Sequence, residues 1–179
     1  MTGKVKNFGE KIAMNFIKLK PIYKQLPVIV GVPVIIQNSR GEILLGKRNK
    51  KAHSYAGYWG LPGGISSYGE KLIETAKREV FEELEIELKE IKKSKNLYEV
   101  LPDKKTILHA INTPFYAKIK LGIPKPKDET SEVKWFNKNE IKKMELAYTH
   151  KDILKKEGLL KWIPYILTMQ QRQKLIKKL

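Results

Sequence analysis

Residues 70–84, EKLIETAKREVFEEL, constrain this chain more than any other stretch. On a helical wheel set to zero at Glu79, Leu72, Ile73, Ala76, Val80 and Leu84 lie between about 20° and 140°. One side of a helix must therefore be buried. Glu82 at about 300° and Glu83 at about 40° join Glu79 in bordering that stripe, so three carboxylates share about 100° of arc. Like charges at i, i+3 and i, i+4 repel by ~0.2–0.5 kcal/mol per pair. Arg78, at about 260°, supplies one counter-charge beside Glu82, and one is not enough.

Convergent, partly buried carboxylates of this density suit a hard divalent cation, Mg²⁺ or Mn²⁺. The "PGG" at 62–64 adds a tight turn where a backbone carbonyl can face the ion. The competing account is a solvated face in which Glu79, Glu82, Glu83 and Glu85 pair with nearby lysines.

With 179 residues, 41% apolar and 31% charged, the chain has the make-up of one globular domain with a substantial core. Its net charge is +17, of which residues 1–27 carry +5 and residues 151–179 carry +6. Such a surface attracts anions: nucleic acid, acidic membrane or phosphorylated metabolites. The absence of cysteine excludes disulfides, thiolate metal sites and thiol catalysis. The longest apolar run, VIVGVPVII at 28–36, has nine residues and cannot span a bilayer, which needs ~20. No signal-peptide pattern is visible, so the cytoplasm is the expected location.

Along the chain, Val5, Phe8, Ile12, Phe16 and Leu19 form a helical stripe that stops at Pro21. Residues 27–38 read as a strand, with Pro33 marking an edge or a bulge. A turn at 38–41 leads to the strand EILLG, and residues 47–60 read as loop before the helix at 70–84. Strands are expected at 97–101, 106–120 and 133–136, a proline-containing loop at 122–132, and a capped helix start at 137–145. The tail from 151 carries two more helical patterns, broken at Pro164. This irregular alternation predicts a mixed α/β domain over 28–157, an N-terminal helical extension over 1–27 and a C-terminal helical tail over 158–179.

The spacing Gly64, Glu70, Arg78-Glu79-Val80-Phe81-Glu82-Glu83, Ile86 resembles the Nudix box, G-x5-E-x7-R-E-U-x-E-E-x-G-U with U aliphatic. Every fixed position matches except the last glycine, where this chain has Glu85. That glycine follows the helix, where a left-handed residue closes the C-terminus. A glutamate there costs ~1 kcal/mol and places negative charge at a helix C-terminus, so the helix is expected to end differently or run slightly longer.

The resemblance implies an α/β/α sandwich with a mixed sheet that hydrolyses nucleoside diphosphates linked to another moiety. It implies Mg²⁺, with Mn²⁺ as a substitute, bound by the Gly63 carbonyl, Glu79, Glu82 and Glu83. Glu70 and Arg78 would support and orient that cluster, and Glu79, Glu83 or Glu129 would serve as general base. Outside the box, Arg48 is a candidate for a phosphate contact, and Tyr58 and Trp59 for stacking on a base. Pro102, 16 residues after the box, stands where ADP-ribose pyrophosphatases of the family tend to have a proline.

GDP-mannose-type nucleotide-sugar hydrolysis, suggested by 38–48 and 57–64, and cleansing of oxidised nucleotides remain open. A catalytically reduced ligand sensor or nucleic-acid regulator is the alternative of another class, and the complete glutamate set argues against it. The expected partners are a nucleoside diphosphate derivative and a second copy of the chain, with no sequence-specific nucleic acid and no membrane. His53, His109 and His150 are too scattered to suggest a site.

Overall fold

The computed structural model describes residues 27–160; the expected terminal helices at 1–27 and beyond 160 lie outside the described residues. In chain order the elements are β1 (Ile29–Ile36), β2 (Ile43–Arg48), β3 (Trp59–Gly60), β4 (Gly63–Ile65), α1 (Leu72–Leu84), β5 (Glu87–Lys93), β6 (Tyr98–Val100), β7 (Ala110–Asn112), β8 (Phe115–Leu121), β9 (Thr130–Phe136), α2 (Lys138–Lys143) and α3 (His150–Lys156). A mixed sheet runs β5-β8-β1-β7-β6, with β4 also paired to β1, and a second sheet runs β3-β2-β9.

Alternation along β1 makes it the centre of two cores. Val32, Val34 and Ile36 pack with Ala76, Val80 and Leu84 of α1. Ile35 faces the other way and joins Ile43 and Leu45 of β2 against Ile141, Leu146, Ile153 and Leu154. Each fully buried aliphatic side chain stabilises the fold by about 1.5–3 kcal/mol relative to exposure. Helix α1 thus covers one face and α2 and α3 the other, the expected α/β/α arrangement.

Pro33 lies in this central strand, not at an edge. Strands β7 and β8 both run parallel to β1 with one shared register, Ile29 to Ala110 and Val34 to Phe115. Continuing it across the gap sets Pro114 opposite Pro33. The Ile29 N–H and the Gly31 carbonyl point to this side, bonding His109 and Thr113. By alternation the nitrogen of Pro33, which has no hydrogen to donate, faces the break in its partner. The single strand expected over 106–120 is therefore two short ones, because the sheet is interrupted where two prolines meet.

Three other boundaries differ from expectation. Residues 47–48 complete β2 and 59–60 form β3, since pairing with β9 and with each other overrides their aperiodic sequence. The β5 strand, ELKEIKK, has a mostly exposed face and so carries no apolar period; its pairing with β8 defines it. The expected capped start of α2 is present: Asn137 accepts from the Asn139 and Glu140 N–H groups, and Glu140 reciprocates.

Helix α1 begins at Leu72 and ends at Leu84, neither extended nor diverted by Glu85. Glu85 itself takes the left-handed conformation, with φ 55° and ψ 33°, and its N–H donates to the Phe81 carbonyl. The segment after β8 closes this helix end. The Lys125 N–H donates to the Leu84 carbonyl (3.1 Å), and the Lys127 N–H to the Glu83 carbonyl (2.9 Å). The Lys127 ammonium pairs with the Glu85 carboxylate at 2.8 Å and counters its unfavourable charge at the helix end. Because this pair is exposed and screened by salt, the left-handed backbone should dominate. Glu85→Gly is expected to raise the melting temperature by about 2–4 °C, with a larger gain at high salt. Thermal melts at low and high salt check this, and a lower melting temperature would contradict it.

Candidate active site

Strand β4 brings two glycines against α1, each for a different steric reason. Gly63 sits opposite Pro33 with φ 125°, and a Cβ there would run into the Val32 carbonyl. A Cβ on Gly64 would run into the carboxyl group of Glu79. Gly63 thus lets β4 lie close against β1, and Gly64 lets its backbone approach the glutamate face. The contact this gives Gly63 is through its N–H, which donates to Glu83 Oε2 at 2.9 Å.

Arg78 organises the carboxylates. Its Nε and Nη2 grip Glu70 at 2.8 and 2.9 Å, a bidentate pair, and Nη2 also donates to the Ile65 carbonyl at 3.3 Å. Nη1 donates to Glu79 at 2.6 Å and to Glu82 at 3.2 Å. Glu70 accepts further bonds from the Ser67 N–H and the buried Thr75 hydroxyl. The Arg78 hydrogen bonds, then those from Ser67 and Thr75, hold the Glu70 carboxyl down at about 2. Arg78 itself is pushed further up, chiefly by Glu70.

Glu83 behaves oppositely. It is half-buried, and the loss of water around its carboxylate pushes that group up to about 8. The negative charges of Glu79 and Glu129 push the same way, while the Gly63 N–H and Arg48 oppose them. Arg48 and Glu129 therefore lie close enough to Glu83 to influence it. Antiparallel pairing of β2 with β9 places them there. Arg48 Nη2 meets Glu129 Oε2 at 3.2 Å, and Arg48 Nε donates to the Ser54 carbonyl at 2.8 Å.

The two candidate stacking residues part company. Trp59 packs against Phe136, with ring centroids 4.8 Å apart, at the border of the core shared with α2 and α3. Its half-buried ring is held by this packing, with the Lys47 ammonium 5.7 Å from its centre. Tyr58, by contrast, stays in an aromatic group with Tyr55 and Tyr148, and Tyr148 lies under the Arg48 guanidinium at 5.5 Å. Tyr55 and Tyr148 belong to no motif visible in the sequence, and their importance rests on contacts between distant segments. The sequence also leaves His150 without a role. That buried ring accepts from the Leu61 N–H through Nδ1 at 2.9 Å, and the Ala147 N–H donates to the Trp59 carbonyl, so the start of α3 steadies the turn that leads to Gly63. Burial pushes His150 down to about 3, so it stays neutral.

A divalent cation suits the donor chemistry here. Three carboxylates sit on one helical face, and Glu83 is raised first by burial and then by the negative charges of Glu79 and Glu129, both of which a cation would offset. Among the described residues no three carboxylates converge tightly enough to hold an ion as they stand. Arg78 draws Glu79 and Glu82 to itself, and Gly63 holds Glu83. Glu79, Glu82 and Glu83 would be the residues to hold the ion once turned from these partners.

The chain is 30% identical over 153 residues to an ADP-ribose pyrophosphatase of Methanocaldococcus jannaschii, covering 83% of this chain and 85% of that one. Its fold is similar to a MutT protein of Methanosarcina mazei Go1, with 27% identity, TM-score 0.62 and coverage of 74% of this chain and 94% of the other. It is also similar in fold to the NUDIX domain of Shewanella oneidensis NrtR, solved with ADP ribose, with TM-score 0.63, 18% identity and coverage of 81% and 96%. The family model described as the NUDIX domain matches residues 27–156, most of the chain. The glutamate helix and its two glycines thus sit within that match, and the chain belongs to the Nudix family of hydrolases.

Proposed function

We propose that this Nudix pyrophosphohydrolase uses Mg²⁺ to cleave ADP-ribose into AMP and ribose 5-phosphate. The observation that carries the reading is the close fit of Gly63 and Gly64 to Glu83 and Glu79, which leaves a carboxylate-lined face on α1 beside the Arg48–Glu129 pair. A bound divalent cation neutralises diphosphate oxygens and lowers the pKa of water. Glu79, Glu82 and Glu83 hold it, and the Glu70–Arg78 pair fixes the helix face from which they project. Arg48 meets a phosphate oxygen. The attacking water loses its proton to a carboxylate, Glu79, Glu83 or Glu129. Of these Glu129 lies off the helix, beside Arg48, and is not needed as a ligand.

ADP-ribose is favoured by the Methanocaldococcus jannaschii relative and by the position of Pro102. Nucleotide sugars and oxidised nucleotides are the competing substrates. With Mg²⁺ present, kcat/KM for ADP-ribose is expected to exceed that for GDP-mannose and 8-oxo-dGTP. Equal or better turnover of either competitor would overturn the substrate assignment.

Glu82→Gln separates a metal ligand from a surface ion-pair residue. Arg78 keeps Glu70 and Glu79 in the variant, so in EDTA it should melt within about 2 °C of the parent or slightly higher. Millimolar Mg²⁺ should raise the melting temperature of the parent by RT ln(1 + [L]/Kd) and that of the variant by less. Activity should fall by about 10²-fold or more. A variant that melts well below the parent in EDTA yet retains full activity would refute the metal assignment.

Glu83 adds a pH signature in the metal-free protein. Its carboxyl is raised from 4.5 to about 8, so between those values the folded state holds a proton that the unfolded state releases. That contribution to stability is complete below pH 4.5 and is lost as pH rises through about 8. Replacing Glu83 by Gln should flatten the loss between these limits, and Mg²⁺ should reduce it in the parent. Denaturant titrations across this range, with EDTA or Mg²⁺, test both; equal slopes for parent and variant would exclude a protonated Glu83.

A further inference from the structure

The tyrosines beyond Arg48 are held in place against their backbone preference. Tyr55 and Tyr148 both have φ 51°, a left-handed conformation that is unfavourable for a non-glycine residue. They belong to distant segments, yet their ring centroids are 4.7 Å apart. Tyr148 underlies Arg48, and the rings of Tyr55 and Tyr58 stand perpendicular with centroids 5.5 Å apart. Strain of this kind persists where surrounding contacts demand it, and here those contacts lead towards one face.

Tyr55 donates its hydroxyl hydrogen to Asp103 Oδ2 at 2.8 Å. Asp103 Oδ1 accepts from the N–H groups of Lys105 at 2.7 Å and Thr106 at 2.9 Å, which shapes the turn after Pro102. The Ser54 hydroxyl donates to the Thr106 hydroxyl at 3.2 Å. Two side-chain bonds therefore fasten this turn to the loop after β2. As a result the Lys105 ammonium stands 4.5 Å from the centre of the Tyr58 ring, with the exposed Glu145 carboxylate 3.6 Å away. The same loop is tied to Arg48, whose N–H donates to the Tyr58 carbonyl and whose carbonyl accepts from the Gly57 N–H. The Tyr58–Lys105 face is thus fixed relative to the Arg48–Glu129 pair.

We propose that Tyr55 and Asp103 are positioning residues for substrate selection. Their hydrogen bond sets Tyr58 and Lys105 as one face that receives the moiety beyond the diphosphate, with the ring against its apolar surface and the ammonium towards its oxygens. This rests on the reading of the site as one for nucleoside diphosphate derivatives.

Tyr55→Phe removes one hydroxyl and keeps the stacked ring. With the fastest-cut compound among ADP-ribose, GDP-mannose and 8-oxo-dGTP, it is expected to raise KM about fivefold and leave kcat within about twofold. Inhibition by imidodiphosphate, which carries only the diphosphate, should be unchanged. Asp103→Ala, which also frees the Lys105 and Thr106 N–H groups, should raise KM at least as much as Tyr55→Phe. The double variant should be no worse than Asp103→Ala alone, and Asp103→Asn should keep KM near the parent value through its amide. An unchanged KM, additive single effects, or a parallel loss of imidodiphosphate binding, kcat and melting temperature would overturn the proposal. If the fastest compound is not ADP-ribose, the substrate assignment fails while the positioning role is still decided by these ratios.

Discussion

The guanidinium of Arg78 touches three carboxylates and a backbone carbonyl, and the geometry of the site depends on how it divides itself among them. Its bidentate grip on Glu70 binds the loop before α1 to the helix. Its remaining nitrogen balances Glu79 and Glu82, which repulsion would otherwise drive apart. A lysine could not do this, because a single ammonium lacks the planar fork that meets Glu70 in two parallel bonds and still faces the helix. Glu83 is left outside this network, and burial raises its carboxyl, with the charges of Glu79 and Glu129 adding to the rise. The site thus pairs one strongly acidic carboxyl with one that favours its proton, on a single helix and the loop before it.

That arrangement requires the backbone to come unusually close to the helix. Gly64 allows the approach to the helix and Gly63 that to β1, while Pro33 and Pro114 stand opposite each other in the central sheet. The break between β7 and β8 absorbs the hydrogen bond that Pro33 cannot make. The sheet therefore keeps β1 at its centre, where alternate residues serve both cores, while β4 pairs along it and delivers the glycines.

Around this frame the loops are fastened by bonds between distant segments. Lys125 and Lys127 finish the carbonyls of α1, His150 steadies the turn at Leu61, and Asp103 holds Tyr55. Glu157, just past α3, accepts from the hydroxyls of Ser94, Tyr98 and Tyr116 and from the Asn96 amide, gathering β6, β8 and the end of α3 at one carboxylate. Those bonds hold its carboxyl at about 2 despite partial burial.

The sequence by itself determined the amphipathic helix, its carboxylate border, the apolar alternation of β1 and the capping box at Asn137, because each depends on residues within about one or two turns of one another. Those local patterns also made the family legible. Tertiary structure decided what local pattern cannot encode. Pro33 became central because Pro114 lies opposite it, and β5 became a strand because β8 pairs with it. Glu85 turned left-handed because Lys125 and Lys127 close the helix beside it. Trp59 went to the border of the core through contact with Phe136, whereas Tyr55 and Tyr148 came together beside Arg48. In each case the deciding energy is a contact between segments far apart in the chain, and one sequence read alone shows the residues of such a contact without showing that they meet.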